Sequence, residues 1–423
     1  MKSKKFKKVL ALSIASIMTL GLVACGGSSS DDKEITVKFS SFWVGNDSKA
    51  NMMTELITQF NEENAGKIKV EVEEIADYDS YESKMKTSIS ANTVPDVFIF
   101  KTGEQALPYY KSDKLMDLTT YMDDGWKDDF VEGSLDDASY EGKTLAIPYE
   151  YGVTPVIYNS EMVKAAGFDE FPTNYDDFFK MCDAMKANGV APISMMTGDN
   201  AWTSMLWYSQ LVVAIGGQDV YDNGLEDPAF EEAAEVLLKM FDYTTTDAVG
   251  ADANVAGGHW LNNETAMLMN GPWYLGRIAT EGADGLYDKT EIAPAPAYEG
   301  GKGEDGGYIG FVQSNIGAAV QKDADKEAAV VKFLKFLSDP TNVGKISADS
   351  GSMFCIKTSA ADDTERLQGE MIDQLAAAPY AVPHFQLMVN PSVATEFPQA
   401  LSSMVLGETT PAEFVEALQA AGN

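Results

Sequence analysis

A chain of 423 residues, 45% hydrophobic and 23% charged, has an ordinary globular composition but is too long for one typical core, so two domains are expected. Its formal net charge of −34 excludes nucleic acid and anionic lipid as partners and suits a neutral ligand better than an anionic one, with a metal cation left open by charge alone. His259 and His384 are the only histidines and no G-x-S-x-G, Walker A or H-E-x-x-H pattern occurs, so neither a catalytic triad, a metal site nor a cofactor is expected.

The chain opens with Lys2, Lys4, Lys5, Lys7 and Lys8, followed by an uncharged apolar stretch over residues 9–23 that is short for a membrane span. A charged start, an apolar middle and small residues before a cut make residues 1–24 a secretory signal peptide. Leu22-Val23-Ala24-Cys25 resembles a bacterial lipobox, which implies that Cys25 takes a lipid and becomes the first mature residue. Removal of the leader takes five lysines and no acids, leaving the rest near −39. Residues 25–33, with Gly26-Gly27-Ser28-Ser29-Ser30, read as a polar tether.

Beyond the tether, Ile35, Val37 and Phe39 alternate as a half-buried strand. Met53, Leu56, Ile57 and Phe60 follow at helical spacing and stop before Asn64-Ala65-Gly66. Ile68, Val70 and Val72 alternate again, residues 80–92 read as a helix, and Pro95-Asp96-Val97-Phe98-Ile99-Phe100 is a continuous apolar strand. Strand, helix, strand, helix, strand implies a parallel α/β sheet with right-handed crossovers. Ligands of such sheets sit beyond the carboxyl ends of the strands, which nominates residues 43–47 and 100–104.

Residues 140–149 read as a turn entering a strand that continues to Tyr158-Asn159. A second α/β region follows, with helices expected near residues 175–188, 204–215 and 228–243. Residues 300–307 form a surface loop that Gly303 and Gly306 are expected to keep flexible. Residues 324–337 are an amphipathic helix stopped at Asp339-Pro340, and residues 393–421 are helical with a break at Gly407. Besides Cys25 there are only Cys182 and Cys355; a disulfide between them is left open.

Four segments together resemble the family 1 extracellular solute-binding proteins of carbohydrate ABC importers, whose best-known member is maltose-binding protein. They are Pro95 to Phe100, the Gly142-Lys143 to Tyr158-Asn159 stretch, Glu264-Thr265-Ala266-Met267-Leu268-Met269-Asn270-Gly271-Pro272-Trp273, and Gly306-Gly307 to Gly317 followed by Phe333-Leu334-Lys335-Phe336-Leu337. The resemblance implies a periplasmic-binding-protein-like α/β fold, two lobes joined by crossing hinge strands around a cleft. Lobe one would be residues 33–149 plus 306–354, and lobe two residues 150–305 plus 355–423. It further implies a monomeric, non-enzymatic lipoprotein on the outer face of the bacterial cytoplasmic membrane. Such a protein hands a mono- or oligosaccharide to the permease subunits of an ABC transporter.

A sugar presents an apolar ring face edged by hydroxyls, so its site needs aromatic platforms and amide or carboxylate rims. The resemblance makes Trp273 the stacking aromatic. Trp43 and Phe100 end strands at cleft-facing positions, with a core role as the alternative. Asn46, Asp47 and Glu104 follow them on the rim, unless Asp47 or Ser48 caps the next helix. Glu150 and Tyr151 occupy the crossing segment, as cleft floor or as hinge packing. Asp199, Asn200 and Trp202 form a polar-aromatic loop, with Asp199 also a candidate helix cap. Trp207 and Trp260 are assigned to the core, and Trp126 has no functional assignment.

Two other readings stay open on sequence grounds. A receptor of the same architecture for a polyamine or iron would want clustered carboxylates or tyrosines. A cell-surface glycoside hydrolase would need two carboxylates facing across the sugar, for which Glu104 and Glu150 are the nameable pair.

Overall fold

The computed structural model describes residues 34–358 and 366–422. The leader, Cys25 and the tether fall outside the described residues.

The strands run in chain order as β1 (Ile35–Ser41), β2 (Ile68–Glu74), β3 (Val97–Phe100), β4 (Ser139–Tyr140), β5 (Lys143–Thr144), β6 (Ala146–Val153), β7 (Val156–Asn159), β8 (Ala191–Ile193), β9 (Thr265–Met269), β10 (Thr290–Ala293), β11 (Tyr308–Ala318), β12 (Met353–Phe354) and β13 (Ala381–Val382). Two sheets carry the architecture. The larger has the order β12-β6-β11-β3-β1-β2, with β13 added alongside β11; the smaller has the order β10-β7-β9-β8. β1 pairs in parallel with both β2 and β3, as the alternating strand-helix pattern predicts. β11 then runs antiparallel between β3 and β6.

Each sheet has its own core. Val37, Phe39, Phe60, Phe98, Ile147, Phe333, Leu334 and Ile346 pack about the larger sheet. Trp207, Tyr208, Phe230, Met267, Phe397 and Phe414 pack about the smaller one, so the last two helices, Pro391–Val405 and Pro411–Gly422, are built into that second core. Two α/β lobes result. The chain crosses from one sheet to the other between β6 and β7 through Thr154-Pro155, and again between β10 and β11.

Three local expectations change. The loop at residues 300–307 docks instead of swinging free. Lys302 N–H donates to the Ile215 carbonyl at 3.0 Å and Gly303 N–H to Ala214 at 3.1 Å, which satisfies the end of helix Trp202–Gly216. A Cβ at Gly301 would stand 2.2 Å from the Ala214 oxygen, so close approach explains that glycine. Cys182 and Cys355 are separate buried thiols, so no disulfide joins them. Trp126, unassigned from sequence, is buried and donates from Nε1 to Ser338 Oγ at 2.8 Å, a packing role.

Candidate ligand-binding cleft

A cavity of about 610 Å³ opens between segments of the two sheets. Phe42, Asn46, Asp47, Lys49, Tyr78, Asp79, Lys101 and Glu150 come from around the larger sheet; Asp199, Asn200, Trp202, Thr203, Asn270, Trp273, Tyr274 and Arg277 come from around the smaller. Gln313 joins them from β11. The size and the mixture of aromatic and polar walls are those of a small-molecule site.

Trp273 owes its position to two neighbours. Asn270, just beyond β9, accepts from the Gly271 N–H and from Trp273 Nε1, both at 2.9 Å. A Cβ on Gly271 would stand 2.2 Å from Trp273 Cη2, so the indole folds back over a residue that must have no side chain. Its ring lies 5.8 Å from that of Trp202 at an interplanar angle of 55°. Behind Trp202 sits His384, edge-on at 5.1 Å and edge-on to Phe311 at 4.4 Å. His384 is fully buried and neither ring nitrogen has a hydrogen-bond partner. Burial, reinforced by the Lys101 charge, holds it well below the usual imidazole range, so it stays neutral.

Two lysines are buried in this region. Lys49 Nζ lies 3.1 Å from Glu150 Oε1 and 3.3 Å from Asp47 Oδ1. Burial opposes the ammonium, but the two carboxylates outweigh it and raise its pKa. Asp47 therefore serves the lysine: it accepts the Lys49 N–H at 2.9 Å, while helix Ala50–Glu63 starts without a side-chain cap. Lys101 follows β3, donates to Gln386 Oε1, and stands 4.8 Å from the Tyr78 ring and 5.4 Å from the Trp202 ring. Burial lowers its pKa.

The loop at residues 199–201 is strained. Asp199 has φ 49° and Ala201 φ 51°, left-handed values that side chains other than glycine adopt at a cost. Asp199 does not cap the helix that follows, which has no side-chain cap at all. Burial raises the Asp199 carboxyl, aided by the charge of Asp252. Asp79, on the opposite side, is raised by burial and then by Asp199. Ser48 Oγ, Thr203 Oγ1 and Gln313 Oε1 are buried polar atoms of the same lining with no protein partner.

Of the residues nominated from sequence, Asn46, Asp47, Glu150, Asp199, Asn200, Trp202 and Trp273 share this lining. Trp43, Phe100, Glu104 and Tyr151 do not. Trp43 is buried and stacks on Tyr149 at 5.2 Å, a core position under Lys49. Phe100 is buried against Tyr109 at 4.8 Å. Glu104 is half-buried on the short turn Gly103–Ala106 and does not line the cavity opposite Glu150. Tyr151 points along β6 toward Gly310. Phe42, Lys49, Tyr78, Asp79, Asn270 and Gln313 were not foreseen, and Lys101 only as part of the nominated stretch 100–104. One signal was readable for Phe42: the parity of Ile35, Val37 and Phe39 sends odd positions, and hence Trp43, to the core.

Two lobes of α/β structure with an aromatic and polar cleft between them are the architecture of a ligand-capturing receptor. Residues 46–343 match the family of bacterial extracellular solute-binding proteins, and the chain belongs to that family. It is 26% identical over 374 residues to the diacetylchitobiose binding protein DasA of Streptomyces coelicolor, covering 82% of this chain and 81% of that one. An uncharacterized ABC transporter extracellular-binding protein of Pyrococcus horikoshii is 26% identical over 307 residues, 70% of this chain and 66% of that one. A solved chitin oligosaccharide binding protein superposes with a TM-score of 0.85 at 21% identity over 92% of this chain and 98% of its own, which shows the shared fold. Family membership places the chain outside the cytoplasm. No helix among the described residues is long and apolar enough to cross a membrane.

Proposed function

We propose that the protein captures a sugar or oligosaccharide in this cleft and delivers it to the permease of an ABC transporter. It acts as a monomeric lipoprotein held by Cys25 at the outer face of the cytoplasmic membrane. We place lobe one at residues 33–153 plus 306–354 and lobe two at residues 156–305 plus 355–423, moving the first boundary from residue 150 because β6 runs to Val153 in the larger sheet. The observation that carries the reading is the Trp202–Trp273 pair beside orphaned hydroxyl and amide atoms. Indole faces cover the apolar face of a pyranose ring, and partnerless donors and acceptors receive its hydroxyls. Ligand contact to both lobes favours the closed form, which is what a permease would distinguish. DasA and the chitin oligosaccharide binding protein, named for saccharide ligands, support the same class.

A thermal-shift screen of the full chain in detergent against mono- and oligosaccharides, polyamines and iron tests it. A ligand that binds only the folded state stabilises it by about 2.7 kcal/mol at a hundredfold excess over Kd. Stabilisation by a saccharide is the expected result. Stabilisation by a polyamine or iron with none by any saccharide refutes it, as does cleavage of an oligosaccharide during the incubation.

A further inference from the structure

Lys101 stands where the two cores meet. It follows β3 of the larger sheet, yet its ammonium lies 5.4 Å from the centre of the Trp202 ring and donates to Gln386 Oε1. Trp202 and the stretch holding Gln386 belong to the other side: Trp202 packs against the second core and Phe385 is part of it. The turn that carries Lys101 is seated on that stretch. Gln105 donates to the Gln386 carbonyl at 3.0 Å, and a Cβ at Gly103 would stand 2.4 Å from the Leu387 carbonyl oxygen.

Lys101 is 6% exposed, and among the described residues it makes no ion pair; its hydrogen-bond partner is a neutral amide. Burial opposes the ammonium more than the charges of Glu82 and Asp79 favour it. A buried cation without a carboxylate beside it weakens a fold, and an apolar side chain of the same length would not. Stability therefore does not explain this lysine.

Its aromatic neighbour offers the explanation. Trp273 is fixed through its indole N–H by Asn270 at 2.9 Å, but among the described residues no hydrogen bond holds the Trp202 side chain. Trp202 opens helix Trp202–Gly216 directly after the strained residues Asp199 and Ala201, so its backbone gives little support. Its ring has Trp273 at 5.8 Å, His384 edge-on at 5.1 Å, and the Lys101 ammonium. Of the three only the ammonium is drawn to the electron-rich face of an indole, and that attraction is strongest out of water. The Tyr78 ring, 4.8 Å from the same ammonium, keeps it from turning away.

We propose that Lys101 is a positioning residue for ligand capture: from one lobe it fixes the Trp202 indole of the other in the orientation on which a sugar ring stacks. This inference rests on the sugar-binding reading and deepens it. The cation is kept for the platform it orients, at the expense of stability.

Lys101→Met, Trp202→Leu and the double variant, each as the full chain in detergent, decide it. The probe is whichever of glucose, maltose, cellobiose and diacetylchitobiose raises the parent's Tm most. Lys101→Met is expected to weaken its binding about tenfold in titration calorimetry, with a Tm equal to the parent's or higher. In the Trp202→Leu background the same change is expected to cost less than about twofold, because the ring it acts on is gone. Tryptophan emission of the ligand-free protein is expected to change on Lys101→Met and to stay constant when Trp202 is already leucine. Affinity within about twofold of the parent overturns the inference and leaves sugar capture standing. So does an equal loss in both backgrounds, or a lowered Tm with unaltered emission, each the mark of a packing role alone. Binding of none of the four sugars by the parent overturns this inference and the sugar-binding reading together.

Discussion

Trp273 shows how a binding residue is made from its neighbours. An amide that accepts its indole N–H and a glycine that leaves room for its ring fix one orientation. Trp273→Ala is expected to weaken binding of the saccharide found by screening by about tenfold or more, roughly 1.4 kcal/mol, while melting nearly as the parent does. Calorimetry and a melting curve on the same sample check it; unchanged affinity removes Trp273 from the site. The residues missed from sequence share a physical reason. Lys49 and Lys101 are not legible as cleft residues because lysine is rarely buried, and only the fold shows that Asp47, Glu150 and two aromatic rings make burial tolerable. Asp79 falls just before the helix expected at residues 80–92 but inside the first turn of the observed helix Tyr78–Ala91, and nothing in that local pattern aims it at the cavity. Trp43 was misplaced although the alternation preceding it already assigned its parity.

Helices with a clear apolar stripe were legible almost to the residue. The stretch expected at residues 324–337 is the helix Ala324–Leu337, and the break foreseen at Gly407 separates Pro391–Val405 from Pro411–Gly422. The sheets were half legible. The parallel triplet followed from periodicity, but the insertion of β11 between β3 and β6 did not, since no local pattern encodes a pairing more than 150 residues away. That insertion crowds Gly152, where a Cβ would meet Phe311 at 2.8 Å and Trp273 at 3.0 Å. Gly152→Ala is expected to lower stability by about 1–3 kcal/mol and to weaken ligand binding by displacing the indole. A variant that melts and binds like the parent contradicts this. In helix Ala253–Leu261, His259 accepts or donates at both ring nitrogens, to Glu264 at 2.6 Å and Asp247 at 2.9 Å. Partial burial disfavours its charge, but the two carboxylates prevail and raise its pKa. The stability it confers is therefore complete below the unfolded value of about 6.5 and fades as pH rises through the higher folded value. His259→Gln is expected to lower Tm more at about pH 5.5 than above pH 8, and a difference that does not vary with pH contradicts it.

At the scale of the molecule, composition announced two domains and the ordered set of motifs announced which two-lobed family. Only the resemblance implied that each lobe is assembled from two separated stretches of chain. Size and charge carry no information on chain path, whereas the cores do: stretches far apart in the sequence meet in each, Val37 with Phe333 and Ile346 in one and Trp207 with Phe397 and Phe414 in the other. If Cys25 anchors the protein, Cys25→Ser is expected to move it from the membrane fraction to the medium or periplasm, as an immunoblot of fractionated cells shows; retention in the membrane argues against the lipid. One arrangement has a bearing on biosynthesis. Phe397, Leu401, Phe414 and Leu418 seal the interior that Trp207, Tyr208 and Phe230 begin. A nascent polypeptide halted just short of its last few turns would leave those aromatics bare. Such a core cannot close before helix Pro411–Gly422 has been made, which lengthens the interval in which the newborn molecule stays pliable enough to be threaded through a narrow export pore.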